Sequence, residues 1–399
     1  MADVDVLLIG GGVASAACAT QLREEGFGGS ILLAGRESDA PYNRPPVSKG
    51  YLLGEEDREA ALVHPGDWWA ENDVDLRTRV SVMKLDTEAK LATLSTKDEI
   101  TYDKALLATG ANVRRLPVDG SDLEGIHYLR ALRNADVLRD DVADAERVVL
   151  IGGSYIGTEV AASLTKLGKR CAIVMQEDVV LSGLGPQAGR FFQGVLEAHG
   201  VEIHGGEVVA RFEGTGERVE RVICESGLEL ECGAVVLGVG AVPDVMLARA
   251  AGLDIGHTGG VKCDTGLRTS APDLWAAGDV CEYDSGLHED WVRFEHWGVA
   301  IEQGKHVARA MQGAERPYEV VPYFFSDLAD WASMEYVGGA QRWDTTVVRG
   351  SIDSADFSLL YLDHGRVVAS LAVGRSDDID RARRMIAGRQ FLSGDLTGL

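Results

Sequence analysis

The chain has 399 residues, 45% of them hydrophobic and 26% charged, a globular composition too long for one ordinary core, so two or three domains are expected. The formal net charge of −24 repels phosphates and anionic lipid, which argues against nucleic-acid or membrane partners. No apolar run approaches the roughly 20 residues of a membrane span, and "MADVDVLLIGGG" enters an apolar strand with no basic leader, so a cytoplasmic protein is expected.

The first segment, "DVLLIGGGVASAACATQLREEGFGGSILLAGRE", reads as strand, glycine turn, Ala-rich helix and second strand, a βαβ unit able to open a doubly wound sheet. Gly10 and Gly12 fill the first two slots of a G-x-G-x-x-G dinucleotide fingerprint, and Ser15 takes the third, helix-packing slot. A pyrophosphate would sit on the N–H groups at the helix N-terminus. Glu37 follows the strand "ILLAG", about where a carboxylate accepts a bond from a ribose hydroxyl.

The pattern then repeats. "RVVLIGGSYIGTEVAASLTKLGKRCAIVMQED" is a second βαβ unit, with Gly152 and Gly157 in the outer slots, Ser154 in the middle one, and Gly153, Tyr155 and Ile156 completing the turn. One such fingerprint is a weak signal, whereas two, each inside a βαβ unit, are a strong one. The segments "ITYDKALLATG" and "LECGAVVLGVGAVPD" both end an apolar strand in a glycine turn, and Gly240 suits a close backbone approach. From about Pro322 the text changes to mixed strands, with Asp363-His364-Gly365 as a hairpin turn, which suggests an α+β domain. Cys18, Cys171, Cys224, Cys232, Cys263 and Cys281 form no C-x-x-C pair and no cluster with histidine. No metal site or redox disulfide is therefore expected, and the cysteines read as buried, reduced thiols.

Several segments together resemble one family, the FAD-dependent pyridine nucleotide reductases of the ferredoxin/rubredoxin reductase and apoptosis-inducing-factor-like group. They are "APYNRPPVSKGYL", "LLATGANVRRLP", "LWAAGDVCEY" and "RFEHWGVAIEQGKHVARAMQG", in order along nearly the whole chain. The resemblance implies two doubly wound, Rossmann-like domains of glutathione-reductase type plus a C-terminal α+β domain. Residues 1–114 and 241–321 would bind FAD, 115–240 would bind NAD(P)H, and 322–399 would form the last domain.

It also implies that Asp279 accepts bonds from the ribityl hydroxyls and that Arg44 and Arg114 meet phosphate charge. Val80, Ala108, Thr109, Gly110, Glu295 and His296 fall in FAD-contacting segments. Lys49 and Glu159 match a pair beside the flavin, where a lysine would stabilise the negative charge that reduction develops. Trp297 matches an aromatic by the ring, and Tyr155 could shield the flavin face until nicotinamide arrives. These assign Lys49, Glu159 and Trp297 to catalysis. Met175 stands where NADH-preferring relatives carry an acid, and no basic residue occurs from Met175 to Leu181. NADH, with Glu177 as the ribose contact, is therefore expected, while NADPH stays open.

Three functions remain possible at this level. The first is a reductase, monomeric or homodimeric, that passes electrons from NADH through FAD to a small iron–sulfur carrier. Such carriers are typically acidic, so docking would depend on a local basic surface such as Arg381, Arg383, Arg384 and Arg389, or Arg114 and Arg115. The second is a reductase of small oxidants such as quinones, and the third a redox-sensing flavoprotein with slow turnover. Phe325, where electron-transferring relatives often have tryptophan, weighs slightly against the first.

Overall fold

The computed structural model describes residues 2–392; residues 393–399, the end of the expected C-terminal domain, lie outside the described residues. The first sheet is built on the strand Ala2–Ile9, which pairs in parallel with Ile31–Gly35 on one side and Glu99–Leu107 on the other. Val74–Thr78 extends it, and Leu274–Ala276, far along the chain, returns to pair in parallel with Glu99–Leu107. Every residue of Ile31–Gly35 is buried, because an interior strand covered on both faces needs a continuous apolar run rather than alternation.

The second sheet repeats this plan with five parallel strands. Arg147–Ile151 lies at its centre, between Arg170–Val174 and Ala234–Leu237. The chain leaves the first unit and returns to it through an antiparallel ribbon of Ala111–Val113 and Ala241–Pro243. The third element is a five-stranded antiparallel sheet from Tyr323–Leu328 to Arg366–Val373, backed by the helix Ser376–Ala387. It shares one apolar core with the second unit, in which Phe191 meets Phe357 edge-on at 4.9 Å between ring centroids. All six cysteines are buried and free.

Each fingerprint helix starts directly from a central strand. Val13–Glu24 follows Gly10 to Gly12, and Tyr155–Lys166 follows Gly152 to Ser154. The first packs so closely on Trp297–Met311 that a methyl group on Gly304 would come within 2.2 Å of the Ala14 carbonyl oxygen. The small residues of "VASAACA" make that approach possible.

Candidate active site

A cavity of about 910 Å³ runs from the first fingerprint to the start of the second and on to the C-terminal sheet. One end is walled by Gly10, Gly12, Glu37, Arg44 and Val80, and the floor by Ala108, Thr109 and Gly110. Gly10 has φ +124°, and a Cβ there would lie 2.1 Å from the Ala108 carbonyl oxygen. Both conformation and space demand glycine. Ser15 is fully buried behind the turn, off the cavity wall, and its hydroxyl has no partner among the described residues.

Glu37, expected to accept from a ribose hydroxyl, is already held by two protein partners. One of its oxygens accepts from Arg44 at 2.6 Å and the other from the Tyr42 hydroxyl at 2.6 Å. Burial works to raise its pKa, yet Arg44 and Tyr42 outweigh it and hold Glu37 below the usual carboxylate range. The group is thus fixed as an anion before any ligand arrives.

Across the cavity, Asp279 follows the returning strand and is paired with Arg130 at 2.9 Å. Its carbonyl accepts from Arg293, which also binds Glu295 at 2.5 Å. Arg130 and Arg293 line the cavity; Arg293 opens the quoted segment "RFEHWGVAIEQGKHVARAMQG" but was given no role there, and Arg130 lies in none of the quoted motifs. The expected Arg114 is exposed and does not line the cavity; its backbone N–H donates to the Gly240 carbonyl. The arginines that do line the cavity are Arg36, Arg44, Arg130 and Arg293.

At the other end, Lys49 Nζ lies 2.7 Å from Glu159 Oε1, with only 17% and 6% of the two side chains exposed. Pro45 opens the short helical turn Pro45–Ser48 that aims Lys49 inward, and Glu159 sits in the first part of its helix, facing the same space. Ser48 and Ser326 also donate to the Glu159 carboxylate, at 2.5 and 2.6 Å. Ser48 stands inside the quoted "APYNRPPVSKGYL", but nothing in the sequence joins it to Ser326, so far along the chain.

The wall around this pair is aromatic. Trp297, 36% exposed, donates its indole N–H to Asn43 at 3.0 Å and meets Phe325 edge-on. His296 stacks on Phe324 with ring centroids 4.0 Å apart, and its burial pushes its pKa down to about 4. It is therefore neutral at neutral pH. Tyr155, from the second turn, meets both His296 and Phe324 edge-on.

The second fingerprint contributes Ser154, Tyr155, Ile156 and Glu159 to the cavity, together with Gly240. Gly152, Gly153 and Gly157 stand behind it. Gly152 has φ +104°, with its Cβ position 2.4 Å from the Gly238 carbonyl oxygen, and Gly157 is pressed against the Gly152 carbonyl. The Ser154 side chain is exposed, its hydroxyl 3.4 Å from the Gly238 carbonyl. Glu177 is exposed beyond the end of Arg170–Val174 and does not line the cavity, whereas Met175 is buried beneath Gly153.

Two strand–turn–helix anion sites opening on one elongated cavity define a two-dinucleotide oxidoreductase. Residues 4–304 match the family described as pyridine nucleotide-disulphide oxidoreductase, and residues 323–396 match the reductase C-terminal family. The chain belongs to the pyridine nucleotide-disulphide oxidoreductase family. It is 36% identical over 394 residues to a probable ferredoxin reductase, CtmF, of Castellaniella defragrans, covering 98% of this chain and 96% of that one. It is 32% identical over 403 residues to putidaredoxin reductase CamA of Pseudomonas putida, covering 100% and 95%. Among solved structures, the ferredoxin reductase for the CYP199A2 system from Rhodopseudomonas palustris superposes with a TM-score of 0.94 at 31% identity, covering 98% and 97%. The protein is an FAD-dependent NAD(P)H oxidoreductase. The residues present fit FAD: a glycine-lined helix N-terminus for its pyrophosphate, the side chains of Glu37 and Asp279 for its hydroxyls, and Lys49 at the far end of the cavity. Among the described residues, no helix is long and apolar enough to cross a membrane.

Proposed function

We propose that the protein is a cytoplasmic reductase that draws electrons from NADH and delivers them to a small acidic iron–sulfur carrier of the ferredoxin type. The observation that carries this reading is the convergence of both fingerprints and the C-terminal sheet on the Lys49–Glu159 pair. The names of the relatives, which include ferredoxin, putidaredoxin and rubredoxin reductases, support it. Bound FAD would supply the link between a two-electron donor and a one-electron acceptor: the two electrons of a hydride from NADH would leave one at a time, with the proton passing to solvent.

The protein's own residues have separate tasks in this reading. The N–H groups after Gly10 and Gly12 hold the FAD pyrophosphate, and Glu37 and Asp279 orient its sugar hydroxyls. Lys49 places positive charge where negative charge accumulates, in a setting that is largely shielded from water. Tyr155 and Trp297 wall the reactive end, and the turn from Gly152 to Gly157 holds NADH. Exposed Glu177 and Asp178 favour a ribose hydroxyl and repel a 2′-phosphate, so NADH is preferred. The ribbon at residues 111–113 and 241–243 supports a division into 1–114 with 241–321 for FAD, 115–240 for NADH, and 322–399 as the carrier-side domain.

Docking falls to the last helix. Arg381 and Arg384 are exposed on Ser376–Ala387, while the Arg383 guanidinium lies 5.1 Å from the Tyr323 ring centroid, at the cavity wall. Asp378, near the start of the same helix, is turned inward to Arg349, Arg375 and Ser358. The test compares steady-state NADH oxidation with ferredoxin-type carriers, quinones and oxygen. Fast, salt-sensitive turnover with the carrier is expected. Turnover that is equally fast with quinones and indifferent to the carrier would contradict the proposal.

A further inference from the structure

The Lys49–Glu159 pair is completed by a strand that belongs to neither dinucleotide unit. Tyr323–Leu328, the first strand of the C-terminal sheet, alternates so that Phe324, Ser326 and Leu328 face inward. Ser326 is therefore a hydroxyl on an otherwise apolar inner face, 4% exposed, and burying it without a partner would cost stability. Its partner is Glu159, itself 5% exposed, whose Oε1 accepts from Ser326 at 2.6 Å and lies 2.7 Å from Lys49 Nζ. The other carboxylate oxygen is held by Ser48 at 2.5 Å, and the Ser48 carbonyl accepts from Ser163 at 2.7 Å. Phe325, the next residue on the same strand, has its ring centroid 5.7 Å from Lys49 Nζ. Two consecutive residues thus contact the two members of the pair.

We propose that Ser326 is a positioning residue for the redox reaction: it fixes the Glu159 carboxylate so that the Lys49 ammonium stays at the reactive end of the cavity, and through it the C-terminal sheet tunes the flavin. The proposal rests on the reading of this cavity as the flavin site. Without the Ser326 bond, Oε1 has Lys49 as its remaining neighbour, and the carboxylate can turn about the Ser48 anchor and carry the ammonium with it. The positive charge is then less well placed, and reduction becomes harder.

The test uses the FAD-loaded Ser326→Ala protein and reads FAD content, flavin midpoint potential by anaerobic spectroelectrochemical titration, and single-turnover reduction by NADH. The expected result is unchanged FAD content and NADH affinity, a potential shifted negative, and a severalfold slower reduction. Ser326→Thr, which keeps the hydroxyl, should restore the potential and the rate. In a Lys49→Ala background the same Ser326→Ala change should have no further effect, because a residue acting through Lys49 loses its effect with it. An unchanged potential and rate in Ser326→Ala, or an undiminished loss in the Lys49→Ala background, would overturn the proposal. Should the wild-type protein itself not be bleached by NADH, the functional reading fails instead, so the two failures are distinguishable.

Discussion

The two fingerprints share a backbone and divide their glycines differently. In both, the first glycine is forced: Gly10 and Gly152 have φ of +124° and +104°, each with a carbonyl oxygen where a side chain would go. In both, the middle residue is extended, with Gly12 at φ −94°, ψ 178° and Ser154 at φ −87°, ψ −170°. Any residue can adopt that conformation, so glycine at the middle slot serves the ligand's approach and not the fold. A serine there leaves the turn intact. At the third slot the turns diverge, because Gly157 has no room for a Cβ beside the Gly152 carbonyl, whereas the first turn accommodates Ser15 in a fully buried position. The same motif thus contains positions set by sterics, by the ligand and by local packing.

The largest effect that would break this comparison is Gly10→Ala, which pushes a methyl group into the Ala108 carbonyl at a φ that alanine disfavours. It should cost on the order of 2–4 kcal/mol and abolish FAD retention, read as loss of yellow colour and a lowered Tm. Gly157→Ser, which gives the second turn the residue of the first, should also lower Tm and remove NADH-dependent bleaching. The reverse exchange, Ser15→Gly, should cost no more than about 1 kcal/mol; equal losses for the pair would mean that the third slots are equivalent after all.

Lys49→Ala asks whether the two sites meet where the cavity says they do. The rate of flavin reduction by NADH should fall at least tenfold, or about 1.4 kcal/mol, with FAD content largely kept; an unchanged rate would remove Lys49 from the reaction. Smallest is Ser154→Gly. Because the Ser154 hydroxyl is only 3.4 Å from the Gly238 carbonyl, at the edge of bonding distance, the NADH Kd should shift by less than about tenfold. Tighter binding would mean that the side chain obstructs, and weaker binding that it contacts the cofactor.

The repeated strand–turn–helix units were legible because steric demands at Gly10, Gly152 and Gly157 leave a local imprint on the sequence. Lys49 and Glu159 were legible as well, though only through the motifs around them; their separation of 2.7 Å required the fold. Arg130 and Ser326 were not, since each reaches the site from a segment whose local pattern serves other ends: Ser326, for instance, is a plain inward position on a strand. Arg114 was singled out by its place after a glycine turn, and its exposed position off the cavity wall required the fold.

The central claim, that the second turn receives the nicotinamide cofactor while the first holds FAD, is tested most directly by anaerobic NADH titration of a Ser154→Glu variant. The exposed middle slot admits the longer side chain without strain and sets a carboxylate against an incoming pyrophosphate. The expected result is a yellow protein with normal FAD content that NADH bleaches only at much higher concentration. Bleaching at the wild-type concentration, or loss of FAD in step with loss of bleaching, would contradict it.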